Sequence, residues 1–138
     1  MAKRNTSTGG VLEAMILPAL DRGGYQYKVQ QNIGKRVGAG PHFVDVVASK
    51  NGTEILVSLK WQQVSGTAEQ KVPFEIICLL DAVDTGPYAK AFLVLGGEGW
   101  KLRDYFCGGE LERYIAYKGK VEVLTLEGFV ARANSGKL

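Results

Sequence analysis

Asp45, Ser58 and Lys60 are spaced to lie together on a β-hairpin, an acid and an amine two residues apart in register. The first strand is His42-Phe43-Val44-Asp45-Val46-Val47-Ala48-Ser49, and the second is Glu54-Ile55-Leu56-Val57-Ser58-Leu59-Lys60-Trp61. Between them Asn51-Gly52 predicts a type I′ turn, which needs φ > 0 at both central residues. That turn pairs Lys50 with Thr53, and counting outward sets Asp45 opposite Ser58. Side chains alternate along a strand, so Asp45, Ser58 and Lys60 share one face. A carboxylate can hold a cation or a proton, and an ammonium can offset negative charge. Both are costly to bury among Val, Ile and Leu without a partner or a purpose. His42, the single histidine, alternates onto the face away from Asp45 and reads as structural.

The rest of the chain must position that hairpin. Its 138 residues suffice for one domain with its own core. Apolar residues make up 46% and charged residues 22%, an ordinary globular balance. The net charge of +3 is compatible with an anionic partner without pointing to one. Cys78 and Cys107 lie far apart without metal-ligand spacing, so neither a disulfide nor a cysteine metal site is expected. The polar start of the chain does not resemble a signal peptide, and no apolar run reaches the ~18 residues of a membrane span. An intracellular, cytoplasmic protein is expected.

Residues 1–8 read as a loose basic arm carrying Lys3 and Arg4, residues 9–133 as the single domain, and 134–138 as a fraying tail. A helix is expected from near Gly10, kinked or shortened by Pro18 and ended by Gly23-Gly24. Tyr25 to Ile33 alternates as a first strand, and Gly34 to Pro41 is a Gly-rich loop with two cations, Lys35 and Arg36. After the hairpin, Thr67 and Gln70 fit a capping box, although Pro73 argues for a later helix start. Ala91-Phe92-Leu93-Val94-Leu95 reads as a central strand covered on both faces. A partly helical stretch, a strand at Val121–Leu126 and a last short helix follow. The order is α-β-β-β-α-β-α-β-α, an α/β class with a mixed sheet flanked by helices.

Glu13 on the first helix, Asp45 on the hairpin and Ser58-Leu59-Lys60 on its second strand resemble the PD-(D/E)xK nuclease superfamily, as does the element order over residues 10–100. The resemblance implies a restriction-endonuclease-like αβββαβ core and metal-dependent hydrolysis of DNA. One departure matters: Ser58 stands where the tripeptide has an acid, and a neutral hydroxyl is a poor ligand for Mg²⁺. A carboxylate from the following helix must then complete the site. Glu69 and Glu75, nine and fifteen residues past Lys60, are the candidates. Glu75 is nearer the family spacing, and Glu69 is slightly preferred for its short reach from the first helical turn. Glu13 is a further candidate ligand. The resemblance assigns Mg²⁺, with Mn²⁺ as substitute, to Asp45 and a Glu, and the orientation of the attacking water to Lys60. Gln62 and Gln63 are placed to hold a phosphate or that water, and Lys35, Arg36, Lys3 and Arg4 to meet the DNA backbone.

Two duller readings compete. An exposed Asp45–Lys60 ion pair contributes only ~0–1 kcal/mol and would need no function. Ser58 favours a relative that binds nucleic acid without cutting it. If the chain cuts both strands, its size leaves no separate recognition domain, and a homodimer is expected.

Overall fold

The computed structural model describes residues 8–38 and 40–138. The expected basic arm, with Lys3 and Arg4, thus lies outside the described residues except for Thr8. The chain opens with α1 (Thr8–Val11), a π-helical turn (Leu12–Ile16) and α2 (Leu17–Arg22). Strands β1 (Gln26–Lys35), β2 (Pro41–Lys50) and β3 (Thr53–Trp61) follow. Next come α3 (Ala68–Thr85), β4 (Lys90–Gly96), α4 (Arg103–Cys107) and a 3₁₀ turn (Glu110–Arg113). The chain finishes with β5 (Val121–Thr125) and α5 (Leu126–Asn134). Among the described residues no helix is long and apolar enough to cross a membrane.

The first helix survives Pro18 instead of ending there. Proline has no N–H to donate, and the turn before it widens so that the Leu17 N–H bonds Leu12 O. The end of α2 is set by glycine. Gly24 takes φ +85, and the Gly24 and Tyr25 N–H groups bond back to Asp21 O and Leu20 O. That reciprocal pair of bonds is the Schellman motif.

The five strands lie in the order β1-β2-β3-β4-β5. The first three pair antiparallel, and β3, β4 and β5 pair parallel. The hairpin forms in the expected register: Asn51 and Gly52 take φ of 54° and 81°, and Lys50 faces Thr53. Strand β4 is apolar on both faces because both are covered. Phe92 and Val94 pack under α1, α2 and α5, while Ala91, Leu93 and Leu95 pack under α3 and α4. Leu138 joins the first of these cores, and its N–H donates to the Tyr25 hydroxyl at 2.9 Å.

The segments leaving β3 and β4 lock together just beyond the hairpin. Gln62 N–H bonds Gly96 O, and Gly99 N–H bonds Gln62 O at 2.8 Å. Gly97, at φ +93, has no room for a side chain, because a Cβ there would overlap the Gln62 carbonyl. Gly97→Ala therefore meets both a disfavoured backbone conformation and a backbone clash. It is expected to lower stability by about 1–3 kcal/mol, seen as a lower urea midpoint with an unchanged slope.

Candidate active site

Strands β2 and β3 part at Asp45. Their paired register runs from Lys50↔Thr53 to Val46↔Val57, and the next residue on β2 is Asp45. Its carboxylate oxygen Oδ2 accepts the backbone N–H of Leu59 at 2.7 Å, taking a donor that would otherwise bridge the strands. On the other side, the β1 register places Gln30 opposite Asp45, between Val29↔Val46 and Gln31↔Val44. Gln30 has φ +52, unusual for a residue with a side chain.

The strand changes faces at this point. Val46 and Ala48 pack with Val57 and Leu59 under α1, α2 and α5, whereas Val44 packs with Leu56 and Ile76 under α3. Residues two apart on a regular strand would share a face. The two halves of β2 therefore present opposite faces on either side of Asp45. This also corrects the reading of His42 as facing away. His42 is 2% exposed, and its Nε2 lies 3.6 Å from Glu75 Oε2.

Glu75 is the acid that α3 delivers. Val72, Glu75, Ile76 and Leu79 lie on the buried stripe of that helix at spacings of three and four. The Ser58 hydroxyl donates to Glu75 Oε2 at 3.0 Å. Lys60 Nζ stands 4.0 Å and Arg36 Nη2 3.5 Å from Glu75 Oε1. Arg36 is further held over the Phe74 ring at 5.7 Å. A carboxylate 4% exposed is thus surrounded by a hydroxyl, an imidazole, an ammonium and a guanidinium.

The two acids titrate in opposite directions. Burial pushes the Asp45 carboxyl above the usual range, outweighing the Leu59 N–H and the Lys60 charge, and the Glu75 charge adds to the rise. Burial acts on Glu75 too, but His42, Lys60 and Ser58 together outweigh it and hold its carboxyl below the usual range. Environments that push two neighbouring carboxyls apart are a mark of sites with distinct acid roles.

Glu69, the slightly preferred acid, meets a different set of partners from Glu75. Its carboxylate accepts the Lys101 and Leu102 N–H groups at 2.8 and 2.7 Å and the Gln62 amide at 3.3 Å. Those donors hold its carboxyl below the usual range despite burial. Gln62 is also occupied: its amide donates to Gly99 O at 3.0 Å and accepts from Ala68 N–H at 3.1 Å. Both side chains tie together the segments that follow β3 and β4. The Gln62 amide, and not the Thr67 side chain, meets the first N–H of α3, so the expected capping box is absent. Pro73 lies inside α3, which begins at Ala68 and not after the proline.

Glu13 is exposed on the π-helical turn, whose Leu12 and Ile16 pack against the sheet face opposite α3. It is not brought into the Glu75 cluster. Lys35 ends β1 exposed, and Gln63 lines a separate open cleft of about 490 Å³ with Trp61 and Arg103. Both cysteines are free. Asp45 and Glu75 offer the hard carboxylate oxygens that Mg²⁺ or Mn²⁺ takes, with water filling the other positions. Among the described residues no cluster of three or more His, Cys, Asp or Glu stands ready to hold an ion.

A family profile described as a PD-(D/E)XK nuclease superfamily domain matches residues 4–137. No curated protein matches the chain. Among solved structures, the crystal structure of a protein of unknown function, AF1548, is similar, with a TM-score of 0.54 and 11% identity. The alignment covers 80% of this chain and 54% of that one, so the chain spans about half the length of that structure. At this identity the likeness concerns the fold alone.

Two substitutions separate site from scaffold. Asp45 has a raised folded pKa, so its contribution to stability is full below the unfolded value of 3.8 and is lost as pH rises through the folded one. Asp45→Asn removes that loss while keeping an oxygen for Leu59. It should raise stability near neutral pH by about 0.5–2 kcal/mol, with the gain vanishing in acid. Glu69→Ala should instead lower the thermal midpoint, since it strands two backbone N–H groups. Thermal unfolding across pH checks both.

Proposed function

The chain belongs to the PD-(D/E)XK nuclease superfamily, and from that membership we propose a metal-dependent DNA endonuclease with Asp45, Glu75 and Lys60 at its centre. Members of this superfamily are generally nucleases that use divalent metals. The observation that carries the finer reading is the 3.0 Å bond from Ser58 to Glu75. It brings an acid from α3 to the position where the tripeptide lacks one. Lys60 two residues on, and Asp45 at the parting of the strands, complete an acid–acid–lysine set.

In this reading Asp45 and Glu75 hold Mg²⁺, for which Mn²⁺ substitutes. The bound ion supplies charge to the scissile phosphate and lowers the pKa of a water. Lys60, its side chain 30% exposed and its Nζ 4.0 Å from Glu75 Oε1, orients the attacking water and offsets charge as it builds on the phosphate oxygens. Ser58 fixes Glu75. Arg36 and Lys35, at the loop between β1 and β2, hold the DNA backbone on the α3 side. Cutting both strands would take two chains related by a two-fold axis.

A second reading also has an observation behind it. Glu75 is already engaged by Arg36, Lys60 and Ser58, a self-satisfied cluster that suits a protein binding DNA without cutting it.

Cleavage of supercoiled, linear and four-way-junction DNA with Mg²⁺ or Mn²⁺ decides between them. Nicking by the parent chain should fall at least about 100-fold in Lys60→Ala and in Glu75→Gln, with DNA binding retained. Steeply salt-dependent binding without any cleavage would select the second reading. Absence of both would overturn the nucleic-acid role.

A further inference from the structure

Only a change of face at Asp45 brings His42 beneath α3, and there it meets Glu75. The imidazole is 2% exposed, and its Nε2 is buried without a hydrogen-bond partner. Buried polar groups are rarely left so. An acceptor stands at 3.6 Å, the Oε2 of Glu75, too far for a hydrogen bond yet within a small rotation of one.

The two oxygens of Glu75 are divided between different kinds of neighbour. Oε2 faces Ser58 at 3.0 Å and His42 at 3.6 Å, both from buried side chains on the strands. Oε1 faces the Arg36 guanidinium at 3.5 Å and the Lys60 ammonium at 4.0 Å, both on partly exposed side chains. One oxygen is anchored by buried strand side chains, and the other faces cations on partly exposed side chains, where an incoming cation could take their place. Groups that orient a ligating carboxylate typically change metal affinity or activity 10–100-fold when removed.

We propose that His42 is a positioning residue for Glu75: its Nε2–H closes on Oε2 and, with Ser58, turns Oε1 toward the divalent ion. This rests on the nuclease reading of the same site. Neither Asp45 nor the DNA touches His42 in this arrangement, so its effect falls on metal binding and turnover and not on DNA affinity. Contacts of this kind are often long in the free protein and tighten when the site is filled.

His42→Met and His42→Gln test it, since the two side chains match in length and differ in carrying an N–H donor. Calorimetric titration of the DNA-free protein with Mn²⁺ gives the metal affinity, and Mg²⁺-dependent cleavage gives kcat and KM. His42→Met should bind Mn²⁺ about 10–100-fold more weakly and lose kcat with KM for DNA unchanged. His42→Gln should recover most of both. A folded His42→Met variant with parental Mn²⁺ affinity and kcat overturns the proposal, as does a His42→Gln variant as impaired as His42→Met. If the parent chain binds no Mn²⁺ and cuts no DNA, the nuclease reading and this inference fall together. A parent that binds and cuts alongside an unaffected His42→Met isolates the failure to His42.

Discussion

One hydrogen bond organises the molecule: the Asp45 carboxylate on the Leu59 N–H, 2.7 Å long. A backbone donor at that place would normally close the next rung between β2 and β3. Given to a side chain instead, it leaves β2 and β3 unpaired beyond Val46↔Val57. The outer half of β2 then belongs to the opposite face, which carries Val44 and His42 beneath α3. The opening between the strands is where Ser58, Lys60 and Glu75 converge. Burial raises the pKa of the Asp45 carboxyl, and the bond from Leu59 N–H offsets only part of that rise. The parting of the strands is therefore built around a carboxylate whose burial is only partly compensated, as is common where stability is traded for function.

Helix α3 shows how two acids six residues apart come to different ends. Both Glu69 and Glu75 are buried, and neither could be so without partners. Glu69, in the first turn, is met by backbone N–H groups of the segment after β4 and by Gln62. It closes the base of the locked loops. Glu75, farther along the helix and nearer the parted strands, is met by side chains that carry or share positive charge. A carboxylate satisfied by fixed backbone donors is part of the scaffold. Glu75 is instead satisfied by side chains, the partly exposed Arg36 and Lys60 and the buried Ser58.

The frame around this pair is rigid for ordinary reasons. Strand β4 is central and covered on both faces, and Phe92 meets Phe129 of α5 edge-on at 5.7 Å. Thr125 caps α5 by accepting the Gly128 N–H at 3.0 Å. The parallel register of β3 with β4 continues to Trp61↔Gly96, so Lys60 is held on a strand whose far neighbour does not yield. A lysine and two acids on such elements keep their spacing better than the same residues on loops would.

Much of this is local, and the sequence by itself determined it. Asn51-Gly52 admits one kind of turn, so the hairpin register and the neighbourhood of Asp45, Ser58 and Lys60 followed from two residues. The apolar run of β4, the αβββαβ order and the glycine stop of α2 likewise rest on periodicity and on backbone freedom at glycine. What lay beyond the sequence depends on contacts between distant segments. Glu69 and Glu75 share a helix and a chemistry, and only the packing of α3 over the parted strands gives one backbone donors and the other Ser58, Lys60 and Arg36. Gln62 has the right register for chemistry and is claimed by Gly99, Ala68 and Glu69. His42 obeys alternation up to Asp45, and the sheet then breaks it. Pro18 and Pro73, strong local breakers, are absorbed because a widened turn and the tertiary packing of each helix outweigh one lost hydrogen bond. Local chemistry set the hairpin; which acid faced it was decided by tertiary structure, because burial and partner supply are properties of the assembled fold.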